Sequence, residues 1–198
     1  MFSSSVYPYV IAEVGVNHEG SLEKALEMVR SASDAGANAV KFQTYKAATL
    51  ASKNSPAYWD QSKEPTASQY KLFQKYDGFE KADYEILKNA CNECGIDFMS
   101  TPFDLQCLDW LMPMMNVVKI ASADLTNDFL LEAVGGYGKP VILSVGASTN
   151  QEIWDAIGIL EQSGCNDISL LHCMLLYPTK LEDAHLSRIL ELREEFSS

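Results

Sequence analysis

The segment AVKFQT, residues 39–44, has the pattern of a buried strand that carries polar side chains on one face only. Side chains alternate along a strand, so Val40 and Phe42 share one face while Lys41 and Gln43 share the other. Val40 and Phe42 suit a layer of helices packed against the sheet, which leaves Lys41 and Gln43 on the opposite side. This placement favours the inside of a barrel near its mouth.

Two further strands repeat this pattern. Lys119 in VVKIAS (117–122) and Glu13 in VIAEVG (10–15) each alternate with apolar neighbours. An open sheet covered by helices on both faces would have to bury these charges, and no glycine-rich phosphate fingerprint follows any strand. The sequence therefore favours a barrel over a doubly wound sheet.

Strands and helices alternate along the whole chain, which predicts a parallel sheet with helices packed outside it. The predicted strands are 10–15, 39–44, 97–101, 117–122, 140–146 and 168–173, and the predicted helices are 21–35, 80–94, 104–112, 127–135, 149–163 and 185–195. The one interruption is a long loop, 45–78, after the second strand. A loop of this length is either a binding loop or a tolerated surface insertion. We expect it to lie over the barrel mouth, with a helical turn near SQYKLF (68–73).

Composition limits the partners. The net charge of −12 over 198 residues argues against nucleic acid and anionic membrane surfaces, and no run resembles a signal peptide or a membrane span. The five cysteines have no framework spacing, which predicts reduced thiols and a cytoplasmic location. An anionic substrate would need a local basic site.

Polar side chains collect where the predicted strands end, which is the active-site face of (β/α) barrels. They are Glu13, Asn17, His18, Lys41, Gln43, Thr44, Ser100, Thr101, Asp104, Lys119, Ser122, Asp124, Ser144, His172, Cys173 and Tyr177. Two lysines with carboxylates and hydroxyls from different strands favour an anion-binding enzyme site. The alternative is that Lys41 and Lys119 only neutralise Glu13 and Asp124, although buried ion pairs carry a desolvation cost that apolar residues avoid.

Two lysines at such a site permit two chemistries. One lysine could form a Schiff base with a carbonyl substrate, as in a lysine-dependent aldolase. Alternatively, both could stay charged and hold phosphate and carboxylate groups, together with nearby hydroxyls. The hydroxyls and carboxylates near both lysines favour the second chemistry.

Six ordered motifs give the chain a family resemblance from about residue 10 to residue 195. They are IAEVGVNHEGSLEKA (11–25), VKFQT (40–44), FMSTPFD (98–104), VKIASAD (118–124), GKPVILSVGAST (138–149) and LLHC with YP (170–178). Together they resemble the N-acetylneuraminate (sialic acid) synthase family. Legionaminic and pseudaminic acid synthases share these motifs, so the family is clearer than the sugar.

The resemblance implies a (β/α)8 TIM barrel in a homodimer. Its implied reaction condenses phosphoenolpyruvate with an N-acylated mannosamine-type sugar, giving a sialic-acid-like nonulosonate and phosphate, with Mn2+ or Mg2+ as cofactor. By motif, Glu13 matches the catalytic glutamate, and four residues match the phosphoenolpyruvate-binding set: Lys41, Thr101, Lys119 and Ser122. Gln43 and Tyr177 match positions near the sugar. Asp124 occupies a substrate-binding position where the family usually has glutamate.

The sequence also departs from the family pattern. Leu175 and Leu176 stand where members commonly have an asparagine that helps to bind phosphoenolpyruvate. Only six strands can be counted in 1–198. The seventh and eighth strands, whose histidines bind the metal, and the C-terminal antifreeze-like domain are not in this sequence. We therefore expect no family metal ligand here and no activity from this chain alone; the alternative function is a non-catalytic or incomplete fragment of such a synthase.

Overall fold

The computed structural model describes residues 7–196, and the chain divides after Asn116 into two units. Each unit contains a three-stranded parallel sheet with helices between successive strands. The predicted α/β class and the parallel order of the strands are therefore confirmed.

The first unit has the strand order β1-β2-β3. Its strands are β1 (Ile11–Gly15), β2 (Ala39–Thr44) and β3 (Asp97–Pro102), and its helices are α1 (Leu22–Asp34), α2 (Ala47–Leu50), α3 (Gln69–Gln74), α4 (Lys81–Cys94) and α5 (Leu108–Leu111). Val40 and Phe42 are fully buried, as their predicted position on the helix-covered face requires.

Local sequence explains where the main helices of this unit begin and end. Ser21 caps α1 by accepting a hydrogen bond from the Lys24 backbone N–H at 3.2 Å. Glu80 and Asp83 form a reciprocal capping box at the start of α4. Gly95 ends α4 in the left-handed conformation, with φ of 70°, which glycine adopts without a Cβ clash.

The second unit has the strand order β4-β5-β6. Its strands are β4 (Val118–Ile120), β5 (Val141–Ser144) and β6 (Ile168–Leu171), and its helices are α6 (Asp128–Gly135), α7 (Asn150–Gln162) and α8 (Arg188–Phe196). Helices α6 and α7 pack closely at Gly135, where an added Cβ would lie 2.6 Å from the Cβ of Ser163.

The six strands that the sequence predicts are present, whereas their assembly into part of a (β/α)8 barrel stays a prediction. A closed barrel needs one continuous ladder of strand pairs around its axis. Over residues 7–196 the six strands form two separate sheets, and no closed barrel is present among them. Within that range, no helix is long and apolar enough to cross a membrane.

Two predicted helices differ from those observed. The prediction of one helix over 104–112 was wrong, because this stretch folds as a short 3-10 turn and α5, and a second 3-10 turn at Met112–Met114 follows. Pro113 lacks the backbone N–H that a continuing helix needs. The last helix begins at Arg188 rather than at 185.

The long loop 45–78 folds back on itself and includes α2 and α3, so the helical turn predicted near 68–73 is confirmed. Its base is held by Lys46, whose Nζ donates to the carbonyl oxygens of Asp77 (2.8 Å) and Phe79 (3.0 Å). Thr49 donates to Asp104 at 2.6 Å, which fastens the start of the loop just beyond the C-terminal end of β3. That the loop covers a barrel mouth remains a prediction.

Candidate functional site

The centre of the candidate site in the first unit is an ion pair between Glu13 and Lys41. The two residues are direct partners in the parallel β1–β2 ladder. The Lys41 residue is 9% exposed, whereas the Glu13 side chain is 52% exposed. Lys41 Nζ also lies 3.4 Å from Thr101 Oγ1 on β3. The sheet therefore holds a buried ammonium between a half-exposed carboxylate and a hydroxyl.

A β-bulge shapes the Glu13 side of this site. The β1–β2 register shifts between Glu13 and Gly15, and Gly15 has φ of +55°. A Cβ added at Gly15 would lie 3.2 Å from Glu13 Oε1 and 3.9 Å from Gln43 Cδ. A side chain here would thus crowd the Glu13 carboxylate, while the Gln43 amide lies at ordinary contact distance. Sequence reasoning missed this role, although a glycine inside a strand pattern is the usual signal of a bulge.

Thr44 and Ser100 do not belong to the same group as Lys41. Strand alternation puts both on the face of Phe42, and their hydroxyls hydrogen-bond to each other at 2.7 Å. Both residues are buried. The prediction that they belong to one site with Lys41 was wrong, because it considered only that they lie near strand ends and not which face of the sheet each side chain is on.

Asp104 and His18 also have structural partners. Asp104 caps the 3-10 turn after β3 by accepting from the Cys107 backbone N–H at 3.0 Å. His18 is buried and stacks on Phe79 with ring centroids 4.1 Å apart. Its Nδ1 accepts from the Gly20 backbone N–H at 3.1 Å. Burial, with a smaller contribution from Lys24, lowers the His18 pKa below its ordinary value, so the ring is neutral at pH 7.

In the second unit, Lys119 is also buried, and its Nζ donates to the carbonyl oxygen of Ile120 at 2.6 Å. Asp124 follows β4 in a 3-10 turn, and its Oδ2 is a buried atom with no hydrogen-bond partner among the described residues. Burial raises the Asp124 pKa, while a hydrogen bond from Asn127 and the charge of Lys119 act in the opposite direction. A partly buried carboxylate and a buried ammonium thus influence each other here.

Ser122 forms a small cluster at the ends of these strands. Its Oγ accepts from the Gly146 backbone N–H at 3.0 Å and lies 3.0 Å from Cys173 Sγ. Ser144 is buried on the same face of the sheet as Lys119, since Lys119 pairs with Ile142 and side chains alternate. The structure therefore brings a hydroxyl and an ammonium to adjacent strand ends in this unit.

Two predicted residues of this unit lie outside the cluster: His172 lines a groove that the cluster residue Cys173 also lines, and Tyr177 is exposed. The groove has a volume of about 570 Å³ and is lined in part by His172, Cys173 and Arg188. His172 Nε2 is 2.9 Å from the carbonyl oxygen of Ala184. Tyr177 is 82% exposed and precedes a cis-proline peptide, so within this unit it is not gathered with Ser122.

Over residues 7–196, no group of three or more His, Cys, Asp and Glu side chains is arranged to hold a metal ion. The described residues therefore include no such three-ligand group, and Mn2+ or Mg2+ as cofactor of the whole protein stays a prediction.

Comparison with known proteins gives a consistent family. The model of the NeuB family matches residues 28–198. An uncharacterized protein of Methanocaldococcus jannaschii is 44% identical over 96% of this chain and 52% of its own length. The N,N'-diacetyllegionaminic acid synthase of Legionella pneumophila is 38% identical over 98% of this chain and 56% of its own length.

A solved structure agrees with these relatives. The N-acetylneuraminic acid (sialic acid) synthetase of Leptospira borgpetersenii, crystallised with citrate, superposes with a TM-score of 0.84 at 36% identity. The match covers 95% of this chain and 61% of that one. The chain thus spans about half the length of the curated relatives it matches.

Proposed function

The chain belongs to the NeuB family, and from this premise we propose that it carries the phosphoenolpyruvate-binding part of a sialic-acid-type synthase. The proposed reaction joins phosphoenolpyruvate to an N-acylated mannosamine-type sugar and releases phosphate. Synthases of legionaminic, pseudaminic and sialic-acid type among the relatives support a sugar-acid product. This activity and these substrates are proposed for the whole protein, of which this chain would be one part. We also propose that the whole protein is a homodimer.

The observation that carries the proposal is the buried Lys41 ammonium held between Glu13 and Thr101. Burying an ammonium costs desolvation energy, and one half-exposed carboxylate offsets this only in part. A second anion bound beside Lys41 would supply the remaining compensation, with the Thr101 hydroxyl as an additional donor. Phosphoenolpyruvate offers both a phosphate and a carboxylate for such a contact.

In the proposed reaction, C3 of phosphoenolpyruvate forms a bond to the aldehyde carbon of the open-chain sugar, and the aldehyde oxygen takes up a proton. Water adds to C2 and loses a proton, which gives a tetrahedral intermediate. The C2 hydroxyl then passes its proton to the departing phosphate as the C2 carbonyl forms and the C–O bond to phosphate breaks. We assign Glu13 to proton handling at the sugar, since its half-exposed carboxylate lies beside Lys41. Gln43 is assigned to the sugar because side-chain alternation places it on the same face of β2 as Lys41.

The corresponding assignment in the second unit gives Lys119 and Ser122 to phosphoenolpyruvate as charged and neutral donors. Asp124 is assigned to substrate binding, as is the exposed Tyr177. We include Mn2+ or Mg2+ among the requirements of the reaction, as the family resemblance implies, and assign no residue of 7–196 to holding it.

The direct test is to titrate the chain with phosphoenolpyruvate by isothermal calorimetry. Lys41→Met should weaken binding roughly 10- to 150-fold, which corresponds to the loss of a charge-assisted hydrogen bond of about 1.5–3 kcal/mol. Lys53→Met, at an exposed lysine of the long loop, should leave the affinity unchanged. Equal affinity in the wild type and Lys41→Met would remove Lys41 from the proposed site.

Two further measurements separate the proposed chemistry from a Schiff-base aldolase. Borohydride treatment with pyruvate should leave no adduct on Lys41 or Lys119 in a peptide mass spectrum, because both act as charged donors. Phosphate release from phosphoenolpyruvate in the whole protein should require an N-acylated mannosamine-type sugar. A trapped lysine adduct would establish the aldolase mechanism instead.

A further inference from the structure

The cluster of Ser122, Gly146 and Cys173 contains a hydroxyl whose lone pair is already engaged. The Gly146 backbone N–H donates to Ser122 Oγ at 3.0 Å. The Ser122 proton must therefore point away from Gly146. Cys173 Sγ, 3.0 Å from the same oxygen, lies within hydrogen-bonding distance. Sulfur is a weak acceptor, so the contact orients the hydroxyl without holding it strongly.

The position of the cluster depends on a glycine for steric reasons. A Cβ added at Gly146 would lie 2.9 Å from both the carbonyl oxygen and Sγ of Cys173, and 3.1 Å from Ser122 Oγ. Contacts under 3.0 Å do not occur without displacement of a neighbour, and one of these neighbours is backbone. Any side chain at 146 would thus move Cys173 or Ser122.

We infer that Cys173 and Gly146 are positioning residues that present Ser122 as a hydrogen-bond donor to an anion. The inference rests on the proposed function, in which that anion belongs to phosphoenolpyruvate. Before binding, Ser122 O–H donates to Cys173 Sγ. On binding, the same proton turns to an oxygen of the ligand, while the Gly146 N–H keeps the Ser122 oxygen in place.

This arrangement gives the thiol a reactivity that reports on the ligand. Cys173 is half-buried and lines the groove of about 570 Å³, so a small alkylating reagent can reach it. A hydrogen bond from the Ser122 hydroxyl to Sγ stabilises the thiolate, which is the reactive form of a cysteine. A bound anion removes this hydrogen bond and adds a nearby negative charge, and both changes disfavour the thiolate.

The experiment measures the rate of Cys173 alkylation by iodoacetamide in the 198-residue chain, using peptide mass spectrometry. Saturating phosphoenolpyruvate should slow the reaction several-fold, because the bound anion takes the Ser122 proton from Sγ and adds a negative charge beside it. Cys94, which is also half-buried but lies in α4 of the first unit, is the internal control and should react at an unchanged rate.

A variant decides the direction of the Ser122–Cys173 hydrogen bond. Without ligand, Ser122→Ala should slow Cys173 alkylation several-fold, because the thiolate loses its donor. A faster rate would mean that the thiol donates to the serine, and the inference would then be wrong. Near-UV circular dichroism of the variant establishes that the fold is retained before the rates are compared.

The calorimetric titration with phosphoenolpyruvate, combined with the alkylation assay, separates failure of this inference from failure of the proposed function. If calorimetry detects phosphoenolpyruvate binding while Cys173 alkylation is unaffected, the positioning role is wrong and the proposed function stands. If calorimetry detects no binding, the proposed function fails, and the positioning role fails with it. Protection by inorganic phosphate alone would assign the Ser122 contact to the phosphate group.

Discussion

Glu13 and Lys41 face each other across neighbouring parallel strands, and the carboxylate of one contacts the ammonium of the other. The pair is asymmetric, because the lysine is buried and the glutamate is half exposed. The buried Lys41 ammonium therefore needs its counter-charge to offset desolvation, whereas water can solvate much of the Glu13 carboxylate. Replacing either partner should therefore have different consequences for stability and for binding.

Glu13→Gln should lower the free energy of unfolding by about 1–3 kcal/mol, since it leaves a buried ammonium without its counter-charge. Lys41→Met removes the buried charge and keeps an apolar stem, so its stability loss should be smaller although anion binding is lost. Urea denaturation of the two variants checks this order. Glu19→Gln, which loses only an exposed pair with Lys24, is the control and should change stability little. The opposite order for the two variants would show that the buried Lys41 ammonium does not depend on Glu13 as its counter-charge.

Gly15→Ala should harm the site more than its backbone strain alone explains. The substitution places a Cβ at φ of +55°, which costs roughly 1–2 kcal/mol, and within 3.2 Å of Glu13 Oε1. Gly95→Ala is the matched control, because Gly95 has φ of +70° and open space around the added Cβ.

Both glycine variants should lose stability in thermal unfolding, and Gly15→Ala should lose more, because it also displaces the Glu13 carboxylate from Lys41. Only Gly15→Ala should also weaken phosphoenolpyruvate binding, because the displaced Glu13 carboxylate no longer holds Lys41 in place. Equal binding by the two variants would limit the role of Gly15 to the backbone conformation of the bulge.

The alternation of residues in AVKFQT and VIAEVG was enough to predict that Glu13, Lys41 and Gln43 share one face of the sheet. Alternation is a local property of the backbone, so it can be read without knowing the tertiary structure. The same rule applied to Thr44 and Ser100 would have put them on the other face. That error came from grouping residues by strand end alone.

Other features could not be predicted from local patterns. The bulge at Gly15 depends on how β1 pairs with β2, and the role of Gly146 depends on a contact with Cys173, which is 27 residues away. Whether six strands form one ladder or two depends on pairing between elements distant in sequence. These properties belong to tertiary contacts, which periodicity does not encode.

The stability of the chain should fall as the pH drops below the ordinary titration range of histidine, in part through His18. Burial lowers the pKa of His18 in the folded chain below the value of about 6.5 expected in the unfolded chain. Above about pH 6.5 the ring is mostly neutral in both states, so burying it carries no cost of deprotonation. Below it, the unfolded chain binds a proton that the folded chain binds only at lower pH. The stability linked to His18 is thus present at pH 7.5 and is lost as pH falls through its lowered pKa.

His18→Phe tests this linkage. The phenyl ring can keep the stack on Phe79 but cannot titrate or accept from Gly20, so the variant should be less stable at pH 7.5 by about 1 kcal/mol. The difference should narrow towards pH 5, because only the wild type loses the His18 contribution. His172 and His185 are present in both proteins and cancel. Parallel stability curves across this pH range would show that burial of His18 has no energetic link to protonation.

The long loop 45–78 should open more often when Lys46 is replaced, because Lys46 joins its beginning to its end. Lys46 Nζ donates to the carbonyl oxygens of Asp77 and Phe79, and its third contact is with Glu80 at 2.7 Å. In Lys46→Met the two carbonyl oxygens lose a charged donor. The hydrogen bond from the Ala47 backbone N–H to Asp77 at 2.8 Å remains to hold the base.

Limited chymotrypsin digestion measures this opening, since Tyr58 is exposed near the tip of the loop and Trp59 is adjacent. Cleavage of Lys46→Met in the loop should be about tenfold faster than in the wild type, as expected for local opening made easier by about 1.5 kcal/mol. Lys53→Met changes an exposed lysine of the same loop and should be cleaved at the wild-type rate. Cleavage at the same rate in all three proteins would mean that Lys46 does not control opening of the loop. The helices α2 and α3 would then keep the region around Tyr58 closed even when the contacts of Lys46 are lost.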